Sequence, residues 1–320
     1  MPAEVLQLVR MLPATEEALS QHYRVHLWSE IEDKRAWLET HATNVAVVAT
    51  NGHHGIETDL VEALPALKLI AVNGVGVDRI DLDTVGARHV RVTNTPDVLT
   101  DDVADLGVAL LLAVLRKLPA ADQYVRHGKW PHAEMPLTRS LKGLQIGIVG
   151  FGRIGQAIAA RLSGFGSKIA YSARHVNDNV NFDYYKSILH LAGKSDVLFV
   201  CVPGGAATAK LIDARILDAL GPKGVLINVS RGSVVDESAL VAALASARLG
   251  GAGLDVFANE PLVPEALFAL DNVVLTPHIA SATIETRTAM GQLMLDNIKA
   301  FFDKKPLLTE VIPAQAVALR

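Results

Sequence analysis

The feature that most constrains the fold is a series of short apolar runs that begins near residue 144. The runs are IGIV, KIAY, DVLFVCV, GVLINV, GAGLDV and NVVLTP, and most are separated by helix-length stretches such as residues 237–247. Apolar residues follow one another within each run, which is typical of strands buried on both faces of a sheet. Strands that alternate with helices form parallel sheets. The series therefore predicts an α/β unit built on a parallel sheet.

A glycine-rich turn follows the first run and precedes a helical pattern. Glycines in this position allow a tight turn, a close approach of the backbone to a pyrophosphate, and close packing of helix on strand. The N–H groups at the start of the helix are available to an anion. Glycine-rich turns also occur for steric reasons alone, but the order of strand, turn and helix favours dinucleotide binding. The candidate cofactor residues here are Gly150, Phe151, Gly152, Arg153, Ile154 and Gly155.

The end of the next run bears on the choice of dinucleotide. A site for NAD has Asp or Glu about 20 residues beyond the glycines, where it binds the ribose 2′-hydroxyl. This chain has Ser172, Ala173 and Arg174 instead. Because a guanidinium binds phosphate and no acid repels it, the sequence predicts NADP(H), with NADPH preferred over NADH. The alternative is that Arg174 is a solvated loop residue and that the site accepts both cofactors.

The chain has 320 residues, which suggests about two domains at roughly 150 residues each. Before the long series, residues 45–50 and 68–72 have strand patterns with a helical pattern over 56–64 between them, so a second parallel sheet is expected. Thr100 and the acids after it begin a long apolar helix that runs towards Arg116. A last helical pattern over 282–302 precedes an extended tail.

Composition excludes several classes of protein. Half of the residues are hydrophobic and 20% are charged, which excludes a disordered chain, and the net charge of −4 provides no broad basic field for nucleic acid or an anionic membrane. The N-terminus has no export signal, and the longest apolar run, residues 106–115, is far shorter than the ~20 residues that span a bilayer. We therefore expect neither export nor membrane insertion.

The cysteine and histidine content makes a metal centre unexpected. Cys201 is the one cysteine, so the chain has no intrachain disulfide and no multi-cysteine metal cage, which agrees with a cytoplasmic location. His53 and His54 are adjacent and have no acidic or cysteine partner at a metal-ligand spacing. We interpret them as loop residues and predict no metal.

Three polar residues follow the ends of successive apolar runs. These are Arg231, Glu260 and His278. In a parallel α/β sheet the carboxyl ends of the strands border the ligand crevice, so the three should lie beside the cofactor. Arg231 can bind a substrate carboxylate and polarise a keto oxygen, while His278, kept cationic by Glu260, can donate a proton as hydride reaches the carbon. Each residue alone also has an ordinary structural explanation. Arg231 could be a cap, Glu260 an acid in the turn before proline, and His278 a structural histidine whose hydrogen bonds are satisfied.

Motifs along most of the chain resemble the D-isomer-specific 2-hydroxyacid dehydrogenases, in particular the NADPH-dependent branch that reduces glyoxylate, hydroxypyruvate and hydroxyphenylpyruvate. The matching motifs are NGVGVDRIDL, NTPDVLTDDVADL, GIVGFGRIG, LINVSRGSVVDE, GGAGLDVFANEP and TPHIAS. The resemblance implies two Rossmann-like domains with parallel sheets. It implies a split substrate domain, residues 1–96 with 287–320, and a contiguous dinucleotide-binding domain, residues 97–286.

The resemblance also implies roles for individual residues. Arg231 would bind and orient the substrate, and Glu260 would pair with His278, the acid and base. Asp255 would lie in the nicotinamide region, with Val229 and Ser230 lining the cofactor. Backbone N–H groups of Val75 and Gly76 would bind the substrate carboxylate, or the two would form an ordinary tight turn. Family members are usually homodimers, and Trp130 resembles an aromatic residue that reaches the partner's active site or packs in the interface.

Three functions stay open at this stage. The first is reduction of glyoxylate, hydroxypyruvate or a related small 2-keto acid with NADPH. The second is reduction of aryl pyruvates such as hydroxyphenylpyruvate, because pocket size and not the catalytic residues separates these substrates. The third, from a different class, is a non-catalytic protein that senses dinucleotides, although the complete Arg, Glu and His set favours chemistry.

Overall fold

A computed structural model describes residues 3–311, and the chain divides into two compact units. One unit comprises the residues up to Leu99 together with those from Thr283 onward, and the other comprises Thr100–Ala282. The sequence places the two boundaries at 96/97 and 286/287, whereas the structure has them at 99/100 and 282/283. The reason for the difference is physical: a helix packs as one body, so each boundary falls where a long helix begins.

The first unit contains a sheet in which all neighbouring strands are parallel, with the order β2-β1-β3-β4-β5. Because the chain turns to one side of β1 and then to the other, the strand order reverses between β1 and β3. The strands are β1 Glu4–Gln7, β2 Arg24–Leu27, β3 Val45–Asn51, β4 Leu69–Asn73 and β5 Arg91–Thr93, and the helices between them are α1 Pro13–His22, α2 Lys34–His41, α3 Thr58–Ala63 and α4 Leu82–Ala87.

The second unit has a seven-stranded parallel sheet with the order β12-β11-β10-β9-β6-β7-β8, which reverses between β6 and β9. Its helices are α5 Thr100–Arg116, α6 Leu118–Arg126, α7 Arg153–Ser163, α8 Ile188–Ala192, α9 Ala214–Leu220 and α10 Glu237–Ala245. Its strands are β6 Gln145–Val149, β7 Lys168–Ser172, β8 Asp183–Tyr184, β9 Val197–Val200, β10 Val225–Asn228, β11 Gly251–Leu254 and β12 Val273–Leu275.

The last helix, α11 Ile284–Phe302, returns the chain to the first unit. Its Met294 and Ile298 pack with Leu69 and Ala71 of β4 on one face of the first sheet. Asn297 is fully buried, and its Oδ1 accepts hydrogen bonds from the backbone N–H groups of residues 308 and 309 at 3.0 and 3.2 Å. The buried amide therefore fixes the segment after α11 against the helix.

The continuous apolar runs are explained by burial on both sides. In β3, Val48 belongs to the core on one face of the first sheet while Val47 and Ala49 belong to the core on the other. Every residue of β9 is fully buried. The predicted α/β class with two parallel, Rossmann-like sheets is confirmed, and all six runs of the second unit form strands; the sequence did not indicate the two-residue strand β8. Within residues 3–311, no helix combines the length and apolarity needed to cross a membrane.

Candidate active site

The glycine-rich turn lies between β6 and α7, at the edge where the strand order of the second sheet reverses. Gly150 has φ +92°, and a Cβ there would lie 2.9 Å from the backbone of Cys201. A Cβ on Gly155 would lie 2.3 Å from the carbonyl oxygen of Gly150, so only glycine lets α7 start this close to β6. By contrast, a Cβ on Gly152 would meet nothing within 4 Å. The turn is tight on the protein side and open where a pyrophosphate would approach, which fits a dinucleotide.

Residues beyond β7 form the neighbouring part of this site. The carbonyl of Ser172 accepts a hydrogen bond from the Gly150 N–H at 2.8 Å, so the end of β7 and the glycine turn are directly joined. The guanidinium of Arg174 is exposed, and no described residue pairs with it. Phe151 is 7% exposed and stacks on Tyr171 with ring centroids 4.1 Å apart, so its ring belongs to the packing beneath the turn.

The segment that carries Arg231 is folded by a residue that sequence reasoning missed. Asn228, the last residue of β10, is 1% exposed. Its Oδ1 accepts from the N–H and hydroxyl of Ser230 at 3.1 and 3.0 Å, and its Nδ2 donates to the carbonyl of Arg231 at 3.0 Å. The polar residue at the end of an apolar strand, within LINVSRG, was the available signal. Asn228 closes the turn over Val229 and Ser230 and so sets the direction of the chain at Arg231.

Close contact between two backbone segments accompanies this turn. A Cβ on Gly232 would lie 1.9 Å from the carbonyl carbon of Phe257. Only glycine at this position permits the chain after β10 to touch the chain after β11, which leads to Glu260. The Arg231 segment and the Glu260 segment are therefore packed against each other through backbone atoms.

Glu260 and His278 form a direct ion pair. The Glu260 Oε2 lies 2.7 Å from the His278 Nδ1, and Oε1 of the same carboxylate accepts from the backbone N–H of Phe257 at 2.8 Å. The side chains are 11% and 31% exposed respectively. With Glu260 ionised, the proton on Nδ1 is held by the carboxylate, which leaves Nε2 as the ring nitrogen that can exchange a proton with a ligand.

A buried carboxylate holds the backbone around His278. Asp255 is fully buried, and its Oδ1 accepts from the Thr276 hydroxyl at 2.7 Å and the Ile279 N–H at 2.8 Å, while Oδ2 accepts from the Ala280 N–H at 2.9 Å. The His278 N–H donates to the Asp255 carbonyl at 2.9 Å. Burial raises the pKa of Asp255. Because the carboxylate binds residues both before and after His278, the side chain of Asp255 acts on the histidine's position.

His278 itself has an unfavourable backbone conformation. Its φ is +53°, which only a few per cent of non-glycine residues adopt. Hydrogen bonds on both sides of the residue, made by Asp255, hold this conformation. Strained backbone that the surroundings enforce is typical of functional sites.

The other predicted substrate residues lie in the first unit. Val75 and Gly76 follow β4, and no described residue accepts a hydrogen bond from either N–H group. The Val75 carbonyl accepts from the Asn94 side chain at 2.9 Å, which fixes the turn while leaving those N–H groups available to an anion. His53 and His54 occupy a loop in which Asn51 Oδ1 accepts from both backbone N–H groups. Trp130, in the second unit, is 68% exposed.

Comparisons with known proteins agree with this geometry. Residues 108–280 match the model of the family described as D-isomer specific 2-hydroxyacid dehydrogenase, NAD binding domain. The chain is 46% identical over 308 residues to a hydroxyphenylpyruvate reductase from Plectranthus scutellarioides, covering 96% of this chain and 98% of that one. It is 45% identical over 309 residues to a 2-ketogluconate reductase from Gluconobacter oxydans, covering 97% and 98%.

A solved structure extends the likeness to three dimensions. The NADPH-dependent glyoxylate/hydroxypyruvate reductase from Sinorhizobium meliloti, determined in complex with NADP and malonate, is similar with a TM-score of 0.91 and 44% sequence identity, covering 97% of each chain. The matched domain, the open glycine turn and the similarity over nearly the whole chain agree on a nicotinamide dinucleotide enzyme. The chain belongs to the D-isomer-specific 2-hydroxyacid dehydrogenase family.

Proposed function

We propose that the protein reduces small 2-keto acids, glyoxylate and hydroxypyruvate foremost, to the 2-hydroxy acids glycolate and D-glycerate with NADPH. The observation that carries the proposal is the 2.7 Å contact between Glu260 and His278. It places the imidazole that would donate the proton against a carboxylate, on the same unit as the dinucleotide turn. The relative from Sinorhizobium meliloti, named for these two substrates, supports the choice.

A bound nicotinamide cofactor would supply the hydride that adds to the keto carbon. The turn at Gly150 and Gly152 and the start of α7 would hold its pyrophosphate, with Gly155 allowing the close packing of α7, and Val229 and Ser230 would line the cofactor. The protein's own residues perform the remaining steps. Arg231 would bind and orient the substrate and draw electron density towards the keto oxygen. The N–H groups of Val75 and Gly76 would bind a carboxylate.

The proton reaches the keto oxygen from Nε2 of His278, since Nδ1 is held by Glu260. The carboxylate of Glu260 stabilises the imidazolium before the transfer. Once the Nε2 proton has left, His278 is a neutral imidazole. In the reverse direction neutral His278 accepts the proton of the hydroxy acid. Asp255 contributes by holding the segment from Thr276 to Ala280, so it is a positioning residue for this step.

NADPH is the proposed cofactor in preference to NADH. Ser172, Ala173 and Arg174 occupy the place where an NAD site has a carboxylate, and the exposed guanidinium of Arg174 is available to a 2′-phosphate. A relative solved with NADP supports this choice.

Reduction of aryl pyruvates is the second candidate. It is favoured by the 46% identity to a hydroxyphenylpyruvate reductase, and it would use the same catalytic residues. The two candidates are distinguished by comparing kcat/KM for glyoxylate and hydroxypyruvate with kcat/KM for hydroxyphenylpyruvate. Binding of NADPH without turnover of any keto acid would instead support a dinucleotide-sensing protein.

A homodimer is the proposed assembly, and the cytoplasm the proposed location. The second unit exposes large apolar side chains that a second copy would cover. Trp130 is among them, either as an interface residue or as one that reaches the partner's site. Their exposed fractions are 51% for Leu118, 57% for Val125, 68% for Trp130 and 100% for Leu137.

Replacing His278 with alanine tests whether this residue is the proton donor. We expect His278→Ala to bind NADPH and to lose about a hundredfold to ten-thousandfold of its turnover, the usual contribution of general acid catalysis. Steady-state reduction of glyoxylate and fluorescence titration with NADPH measure the two quantities. Turnover equal to that of the wild type would remove His278 from the mechanism.

Replacing Glu260 with glutamine tests the pair through pH. Reduction needs the charged imidazole, and Glu260→Gln removes the carboxylate that favours the charged form. The rate of reduction should therefore decline at a lower pH than in the wild type. Rate profiles from pH 5 to 9 measure the difference, and superimposable profiles would show that the two residues do not act as a pair.

Replacing Asp255 with asparagine distinguishes positioning from cofactor binding. The amide keeps the shape, but its NH2 group faces a backbone N–H, so one hydrogen bond to the His278 segment is lost. We expect kcat to fall about tenfold, as one charge-assisted hydrogen bond implies, without a change in the Kd of NADPH. Thr276→Val, which removes one bond to the same carboxylate, should give a smaller decrease. A raised Kd at constant kcat would assign Asp255 to the cofactor instead.

Replacing Ser172 with aspartate tests the choice of cofactor. The new carboxylate would repel a 2′-phosphate and accept a hydrogen bond from a 2′-hydroxyl. The ratio of kcat/KM for NADPH over NADH should fall by about tenfold to a hundredfold. Ser172→Ala is the control for the loss of the hydroxyl alone. If Ser172→Asp keeps the wild-type ratio, the 2′-phosphate does not bind beside residue 172.

A further inference from the structure

A cavity of about 230 Å³ lies within the first unit, at the carboxyl ends of its strands. Arg10, Met11 and Leu12 follow β1, Asn51 ends β3, Asn73 ends β4, and Arg287 comes from the beginning of α11. The strand order of this sheet reverses between β1 and β3. In open α/β sheets, ligands bind outside the carboxyl ends of the strands at such a reversal. The cavity is therefore where this sheet is expected to bind a ligand.

The cavity contains one cation whose charge no described residue neutralises. Two guanidinium groups and two amides line it, and none of its lining residues is Asp or Glu. Arg10 forms ion pairs with Glu16 and Glu30. The guanidinium of Arg287 has no hydrogen-bond or ion-pair partner among residues 3–311, and burial lowers its pKa. Since arginine stays charged in proteins, the partly buried guanidinium can be neutralised here by an anionic ligand.

A second polar group in the cavity is also unsatisfied. Asn73 is 9% exposed, and its buried Oδ1 has no hydrogen-bond partner among the described residues. Buried side-chain amides normally have partners, and leaving one without costs stability. Asn51 presents its Nδ2, because its Oδ1 already accepts from residues 53 and 54. The Asn73 Oδ1 is an acceptor and cannot bind a carboxylate as it stands, but rotating the amide by 180° puts its Nδ2 in the same place, where it can donate to an anion.

The position of the cavity along the chain relates it to the substrate. Asn73 is followed by Gly74 and then by Val75 and Gly76, whose N–H groups bind the C1 carboxylate in the proposed function. A substrate held by that turn has its other end free to enter a neighbouring site in the same unit.

We propose that Arg287, with Asn73 beside it, binds a second carboxylate at the distal end of the 2-keto acid. This inference rests on the proposed function and extends it, because it adds dicarboxylic 2-keto acids to the substrate class. A guanidinium can bind a carboxylate through two parallel hydrogen bonds, which neutralises the charge of Arg287. The cavity then discriminates between keto acids by their distal group, whereas Arg231, Glu260 and His278 act on the part they share.

Binding of matched acids tests the proposal without relying on turnover. The wild-type protein with saturating NADPH is titrated calorimetrically with three pairs that differ by one carboxylate: acetate and malonate, propionate and succinate, butyrate and glutarate. At least one dicarboxylate should bind about tenfold to a hundredfold more tightly than its partner, as one charge-assisted hydrogen-bonded pair implies. Equal affinities within every pair would overturn the proposal.

Variants of the cavity residues test whether the cavity causes this difference in affinity. Arg287→Met should remove the advantage of the dicarboxylate, and Arg287→Lys should restore part of it. Asn73→Asp, which supplies an internal carboxylate, should also remove it. Arg35→Met, the same substitution at a side chain of the first unit that is 91% exposed, is the control and should bind both acids as the wild type does.

The pattern of losses separates the alternatives. Equal weakening of both members of a pair in Arg287→Met would place Arg287 at the shared carboxylate and overturn its assignment to the distal group. Retention of the dicarboxylate advantage in both Arg287→Met and Asn73→Asp would overturn the cavity as its source. Reduction of glyoxylate by the wild type is measured in parallel, and its absence would count against the proposed function without bearing on which residue binds the second carboxylate.

Discussion

The candidate site depends on one buried carboxylate, Asp255, that holds the backbone around His278 by hydrogen bonds. Asp255 accepts three hydrogen bonds from residues 276, 279 and 280, and its carbonyl accepts a fourth from His278. Removing a carboxylate from water is costly, and the burial raises the pKa of Asp255. The hydrogen bonds offset that cost and hold His278 at φ +53°. Without this arrangement the histidine would lack the fixed position from which it meets Glu260.

Two glycines allow backbone segments to touch because they have no side chain to keep the segments apart. At Gly232 a single methyl group would overlap the backbone after β11, and at Gly155 it would overlap the turn after β6. Each contact brings two strand ends closer than side chains would permit. The parallel sheet places the carboxyl ends of its strands at one edge, and the glycines reduce the remaining distances between the loops. Fold and local packing therefore act together to assemble the site.

Much of this could be predicted from the sequence, because the strongest signals are local. Continuous apolar runs predicted six of the seven strands of the second sheet, and the glycine spacing predicted the turn that joins β6 to α7. The roles of Asn228 and Asp255 in holding the backbone could not be predicted, since they depend on which N–H groups the folded chain leaves unsatisfied. Nor could the cavity around Arg287, whose lining residues come from four separate places in the chain.

In the proposed mechanism, one unit carries the residues that react and the other carries the residues that select the substrate. Arg231, Glu260 and His278 all lie in Thr100–Ala282, where the dinucleotide turn also lies, so this unit holds what every 2-keto acid reduction requires. The cavity that contains Arg287 lies entirely in the other unit. Substitutions there can alter the distal group that is accepted without disturbing the proton donor or its partner. Binding of a second carboxylate, as proposed, would explain why an unneutralised arginine is retained at a cost in stability, because its charge is used when the ligand is bound.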